Sequence, residues 1–445
     1  MKKYALGVFV FVLVLYGCSS DELKNPLDVD LRAALAKASP TGNADHFILP
    51  DYGDYASIPA DPNNPLTELK VELGRMLFFE TGLALDPLFE ESKGTWSCAT
   101  CHIPEAGFMP GRAQGIADGG AGFGVNGEGR TKLFFYDNDE PDVQGARALN
   151  VMNTAYVPNT TWSGKFGGGD NNIGTEDVWE GDTEINRLGL SGMESQIIEG
   201  FALHRMNINE TIIDTLGYKP YFNAVFGNFP ESERYGKLTA SFALSAYLRS
   251  MITSDAPFQH WLKGDEQAMS DEEKEGALLF FGKAGCYKCH NGTPLNNPTQ
   301  FYAIGVKDLY ETGDEAINTG IDDKRNKGRG GFTKREEDMY KFKVPGLYNM
   351  KGGGFYFHGS SKRSLKEVVK YFNVAQKENA LVPQSQIAPQ FRPLGLTEEE
   401  IDKVVLFLEH SLYDHEYHRH VPEAVLSGNC FPNNDELSRT ELGCN

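Results

Sequence analysis

Cys98-Ala-Thr-Cys101-His102 and Cys286-Tyr-Lys-Cys289-His290 are two C-x-x-C-H pentads far apart in one chain. In such a pentad the two thiols add across the vinyl groups of a haem, and the adjacent histidine is delivered to the iron as proximal axial ligand. Two other chemistries use the same residues: structural disulfides, or a zinc site assembled from both motifs. A thiol pair with only two residues between its members closes almost no loop and gains little as a disulfide. Zinc stays open, although the export signal described next favours haem. The expectation is two covalently bound haem c groups, attached through Cys98, Cys101, Cys286 and Cys289, with His102 and His290 as proximal iron ligands.

The ends of the chain set the compartment. Lys2 and Lys3 precede an apolar run from Ala5 to Tyr16, which is too short to cross a bilayer as a helix and reads as a secretory signal. It ends in Leu15-Tyr16-Gly17-Cys18, which resembles a bacterial lipobox with Cys18 as the acylated first mature residue; an ordinary signal peptide is the alternative. Ser19-Ser20-Asp21-Glu22 is similar to the surface-export tag of lipoproteins in some Gram-negative lineages. The expected location is the cell envelope of a Gram-negative bacterium, lipid-anchored at the periplasmic face of a membrane or at the cell surface. Of seven cysteines, this leaves Cys430 and Cys444 in a polar tail, where an oxidising compartment predicts a disulfide. The net charge of −20 argues against nucleic acid, which wants a basic face, and allows a basic electron-transfer partner.

The elements that must position the pentads occur twice. Leu66–Glu80 has helical apolar spacing and precedes the first pentad; Ser270–Gly282 precedes the second, with Ser270 and three acidic residues as its N-terminal signal. Amphipathic stretches Leu238–Ile252 and Glu398–Leu412 follow each pentad much later. Helix, pentad, loops and closing helix is the plan of a small cytochrome c fold, and glycine-rich Gly115–Gly129 and Gly164–Gly174 suit chain that wraps a large group. The fold expected is all-α with long loops: two tandem cytochrome c-like domains, each carrying one covalent haem c. The divisions read are a signal peptide (1–17), a tether and wrapping segment (18–62) with a short helix near Leu31–Ala38, an N-terminal domain (63–235), a C-terminal domain (236–412) and a tail (413–445).

From about Leu66 to Leu412 the residues resemble the bacterial di-haem cytochrome c peroxidase and MauG superfamily. The first half carries Leu73-Gly74-Arg75, Gly107-Phe108 with Gly111-Arg112, Asn153-Thr154-Ala155-Tyr156, Thr161-Trp162-Ser163-Gly164-Lys165 and Glu194-Ser195-Gln196. The second carries Phe342-Lys343-Val344-Pro345-Gly346-Leu347-Tyr348-Asn349, Phe355-Tyr356-Phe357-His358-Gly359 and Ser364-Leu365-Lys366-Glu367-Val368-Val369. The resemblance implies a peroxidatic N-terminal haem and a C-terminal haem that stores and relays an electron. Reducing hydrogen peroxide to water takes two electrons, which is the physical need for a second redox site. Trp162 falls where the family places a bridging tryptophan, with a haem-wall aromatic as the plainer reading.

O–O cleavage also needs a group that takes a proton from the inner peroxide oxygen and returns it to the leaving one. Gln196 matches the family's distal glutamine. The family's glutamate is replaced within Leu203-His204-Arg205-Met206, which makes His204 the candidate acid–base group, Arg205 a candidate to polarise the bond, and Glu199 a second candidate. His204 as a resting-state iron ligand, or as a plain surface or core histidine, are the alternatives. The family's sixth-ligand position on the C-terminal haem lands on Phe372, which cannot coordinate iron; Tyr371 is adjacent, Met339 and Met350 lie elsewhere, and the ligand stays open. The interdomain calcium of the family is put in doubt, since Arg147 stands at its asparagine position and Gly353 and Phe355 replace Thr and Pro.

The function expected is peroxide reduction with electrons from a small cytochrome c or cupredoxin. The alternatives are a MauG-like oxidase acting on a protein or organic substrate, and a non-enzymatic di-haem electron carrier. A homodimer is left open.

Overall fold

Caps decide where the helices begin. The Thr67 hydroxyl accepts from Lys70 N and starts the first leading helix, Glu68–Phe79. Ser270 and Glu273 form a reciprocal capping box on the second, Asp271–Phe281. The closing helices are Lys237–Ser250 and Glu398–Leu406; the latter widens into a π turn over Phe407–Ser411 instead of running on as α-helix to Leu412. The computed structural model describes residues 25–313 and 316–444. The leader, with Cys18, lies outside the described residues.

Each leading helix crosses its closing helix at a glycine. A Cβ on Gly74 would lie 1.9 Å from Ala243 O, and one on Gly276 would lie 2.0 Å from Lys403 O. The two crossings therefore bring backbone against backbone, which no larger residue permits. Around the first pack Leu73, Met76, Leu77, Phe78, Ala240 and Tyr247; around the second, Ala277, Phe280, Phe281, Ile401, Val404 and Phe407. The fold is largely helical with long loops, and the same helix-crossing unit occurs twice.

The helix that follows 236 packs on the first core. Helix Lys237–Ser250 buries its residues against Glu68–Phe79, and Met251 still belongs to the first core, whereas Ile252, Ala256 and Phe258 belong to the second. A closing helix completes the unit it packs on, so the first half runs to about 251.

The N-terminal segment wraps and does not hang free. Asn25 caps a 13-residue helix, Pro26–Ala38, longer than the Leu31–Ala38 expected, and Leu31 and Leu35 enter the second core. Asp28 accepts from Trp261 Nε1 at 2.6 Å and pairs with buried Lys274 at 2.8 Å, while Arg32 lies over the Trp261 ring. Gln259 clamps the following strand of chain by accepting from Leu49 N and donating to Phe47 O. The tail crosses the other way. Cys430 and Cys444 are joined, and Ser97 and Thr100, inside the first pentad's loop, donate to Pro432 O and Asn433 Oδ1 at 2.9 and 2.6 Å. Two small antiparallel sheets, 120–121 with 131–132 and 297–302 with 342–344, are the only sheets among the described residues.

Candidate functional site

One cavity of about 2210 Å³ is lined by both pentads. Ordinary ligand pockets run to about 1,000 Å³, so this volume suits two large groups. The two proximal histidines are held identically. His102 Nδ1 donates to Phe108 O at 3.1 Å, and His290 Nδ1 donates to Leu295 O at 2.7 Å. Phe108 and Leu295 are both fully buried and both left-handed, with φ of 56° and 55°, which turns each carbonyl onto its histidine. With Nδ1 committed as donor, Nε2 keeps its lone pair for a metal. Burial pushes both imidazoles down to about 4, so each is neutral, the ligating form. Phe78 and Phe280, at the ends of the two leading helices, flank His102 and His290 in the same way.

The four pentad cysteines are unpaired, and burial pushes the thiols of Cys98, Cys101 and Cys286 up to about 12. Among the described residues no three His, Cys, Asp or Glu side chains converge on a common metal position, so the motifs do not assemble one zinc site. The four histidines that crowd the chain near the end of the last long helix, His410, His415, His418 and His420, form no such group either, and His420 is buried between Tyr52 and Phe108.

Gln196 and His204, from the helix Gly192–Leu203 and its C-terminal cap, line the cavity on the first-pentad side together with Phe201 and Met206. That helix is anchored by a buried bidentate pair, Glu194 with Arg249 of the closing helix, and Asn64 donates to the same carboxylate at 2.9 Å. His204 Nδ1 donates to Asp142 Oδ2 at 2.9 Å, and Trp96 Nε1 holds the His204 carbonyl at 3.0 Å. The Asp142 charge raises the His204 pKa against the opposing effect of burial. Asp142 itself lines the cavity. Nothing in the sequence connects it to His204, because the two are brought together only by the loop that folds back beneath Asp118. Arg205 and Glu199 do not line the cavity. The Arg205 guanidinium is tied to Asp118 and to Glu140 O, so it is not placed to polarise a bound peroxide.

Trp162 lies between the halves. Its Nε1 donates to Arg147 O at 2.6 Å, and its ring sits edge-on to Phe342 and His358 of the second half at 6.4 and 6.2 Å. His358 is stacked on Phe342 and fixed by Asp308. Lys343, whose amide donates to Trp162 O, is buried in the cavity wall and its Nζ has no hydrogen-bond partner. Burial pushes its ammonium down to about 7. The Lys343 Nζ lies over the Phe301 ring, 5.0 Å from its centroid, and lacks a hydrogen-bond acceptor; with this unmet donor, the two thiol pairs and the two oriented imidazoles, the residues present fit haem c.

The sixth-ligand candidate is placed elsewhere. Tyr371 is buried behind the cavity wall, where its hydroxyl donates to Ile304 O at 2.6 Å, and Phe372 takes the lining position. Met350 also lines the cavity, and Met339 does not. At the position where the resemblance places an interdomain calcium, the Arg147 guanidinium donates to three carbonyl oxygens.

The sequence profile of the di-haem cytochrome c peroxidase family matches residues 68–267. The chain is 27% identical to the cytochrome-c peroxidase IdrP1 of Denitromonas iodatirespirans, across 85% of this chain and 92% of that one. It is 28% identical to the methylamine utilization protein MauG of Methylorubrum extorquens, across 79% and 81%. Its fold is similar to the crystal structure of a MauG-like protein associated with microbial copper homeostasis, with a TM-score of 0.57 and 22% identity over 82% of this chain and 96% of that one.

Proposed function

The chain belongs to the di-haem cytochrome c peroxidase and MauG superfamily and is an oxidoreductase of that type; from this premise we propose that it reduces hydrogen peroxide to water, with electrons from a small redox protein. Cys98, Cys101 and His102 hold one haem c and Cys286, Cys289 and His290 the other. When bound, the first supplies the iron for O–O cleavage and the second a store for one of the two electrons. The balance is one peroxide, two electrons and two protons giving two waters.

One observation carries the reading. His204, oriented by Asp142, lines the same cavity as His102 and Gln196. With Nδ1–H donated to Asp142, His204 Nε2 is free to accept the proton of the inner peroxide oxygen and deliver it to the leaving oxygen. The Asp142 carboxylate stabilises the imidazolium formed in between, and the Gln196 amide is available to orient the peroxide. Trp162 lies between the halves, and the unpartnered Lys343 Nζ would be available to a haem carboxylate.

The oxidase alternative drew on Tyr371 as an iron ligand, and the bond from its hydroxyl to Ile304 O weakens that alternative. The charged and apolar leader and the Cys430–Cys444 bond support a place in the cell envelope, anchored through Cys18.

Steady-state peroxide consumption with a reduced small cytochrome tests the reading. His204→Ala, with both haems still attached by mass, is expected to lose about 10²- to 10⁴-fold in turnover. Full turnover in that variant would remove His204 from the chemistry.

A further inference from the structure

Arg147 is 2% exposed, yet no carboxylate pairs with its guanidinium among the described residues. It donates instead to Arg112 O at 2.5 Å, Pro110 O at 2.7 Å and Gly353 O at 2.8 Å, with the Phe355 ring 5.3 Å away. Burial pushes its pKa down to about 9, and the nearby Arg363 adds to that while Tyr356 opposes it. Two of the three acceptors belong to the first half and one to the second. The Arg147 backbone repeats the pattern: its amide donates to His358 O of the second half at 2.7 Å, and its carbonyl accepts from Trp162.

The backbone around this point is pressed together. A Cβ on Gly107 would lie 2.4 Å from Asn349 O, and one on Gly353 would lie 2.8 Å from the Met109 side chain. A turn of each half thus meets the other with glycines at the contact, and carbonyl oxygens accumulate there. Convergent carbonyls without a carboxylate are a cation's environment, the oxygen chemistry that calcium uses. Here a side chain of the chain itself provides the cation, and its planar fork of five donors serves several carbonyls at once.

We propose that Arg147 is a built-in interdomain cation, standing where the resemblance places calcium, and that it fixes the register of the two halves and the acceptor of Trp162 without any metal. It is a positioning residue that also leaves a permanent positive charge in the cavity wall. That charge stabilises whichever redox state is more negative, so it raises the reduction potentials of groups bound nearby. The inference concerns the interface and does not depend on which substrate is turned over.

Two measurements on the loaded full-length protein test it. The first is metal content by mass spectrometry, with Soret circular dichroism and ferric EPR before and after exhaustive treatment with a calcium chelator. No stoichiometric calcium and unchanged spectra are expected; about one calcium per chain whose removal alters the spectra overturns the proposal. The second is the pair of haem midpoint potentials in Arg147→Met and Arg147→Lys. Both potentials are expected to fall in Arg147→Met and to return toward the parent values in Arg147→Lys. If Arg147→Met folds with unchanged potentials and unchanged Soret dichroism in chelator, the proposal is wrong. If it does not fold, the calcium measurement on the parent protein decides alone.

Discussion

At the scale of single residues, the account turns on His204 and its partner. The Asp142 charge raises the His204 pKa above the ordinary value of 6.5. The imidazole must be neutral to accept the peroxide proton, so turnover should rise with pH through that raised value. Asp142→Asn removes the charge, and the rise should move to lower pH while maximal turnover falls, because the ring also loses its orientation. A pH profile of kcat/KM on both proteins reads this, and an unmoved limb would exclude the pair. The pentads were legible as motifs because attachment and ligation need residues adjacent in sequence, and the fold brings both to one cavity. Asp142 was not, because its link to His204 is made by a loop. Counting from His358 lands on Phe372, which cannot coordinate iron, and leaves Tyr371 as a neighbour on a different helix face, since one residue turns that face by about 100°. In the fold the Tyr371 hydroxyl donates to Ile304 O.

At the scale of elements, two contacts hold the site-bearing helices. Gly74→Ala or Gly276→Ala would drive a methyl into a carbonyl oxygen of the facing helix, and either should destabilise by about 1–3 kcal/mol. Thermal unfolding of both variants checks it; parent-like melting in both would mean the crossings are looser than described. Arg249→Met strands the Glu194 carboxylate in the interior and should cost about 3–5 kcal/mol, with Gln196 displaced along with its helix. Denaturant unfolding is the readout, and a loss under about 1 kcal/mol would place that pair in contact with water. Helix starts were legible from caps such as Ser270 with Glu273, because those signals are local. The end of Glu398–Leu406 was not, because apolar periodicity through Leu412 does not distinguish an α-helix from the wider π turn that seats Phe407 in the core.

At the scale of the whole molecule, the two ends are exchanged. Pro26–Ala38 and the chain after it complete the core of the second half, and the disulfide-closed tail packs on the first half and bonds the first pentad's loop. Low apolar content made the tail look peripheral, but besides Val425 and Phe431 in the first core it is tied by polar contacts through Asn433, Asp435 and Glu441, which hydrophobic patterning does not see. Replacing Cys430 and Cys444 by alanine should cost about 3 kcal/mol for a loop of this length. Hydrogen exchange should rise in 421–444 and again in 95–101; a rise confined to the tail would uncouple it from the attachment loop. The two-unit plan was legible because the helix, pentad and closing-helix pattern repeats. The same plan already paired Leu238–Ile252 with the first pentad, and Lys237–Ser250 packs on the first leading helix.

The central claim is that the cavity holds an open, reactive haem beside His102, supplied by a second haem beside His290. Low-temperature EPR of the fully ferric and half-reduced protein, each followed by one equivalent of hydrogen peroxide, tests it most directly. The account predicts a high-spin ferric signal, present at the start or appearing on half-reduction, and rapid loss of peroxide. Two low-spin signals in both states, indifferent to peroxide, would contradict it and leave an electron carrier.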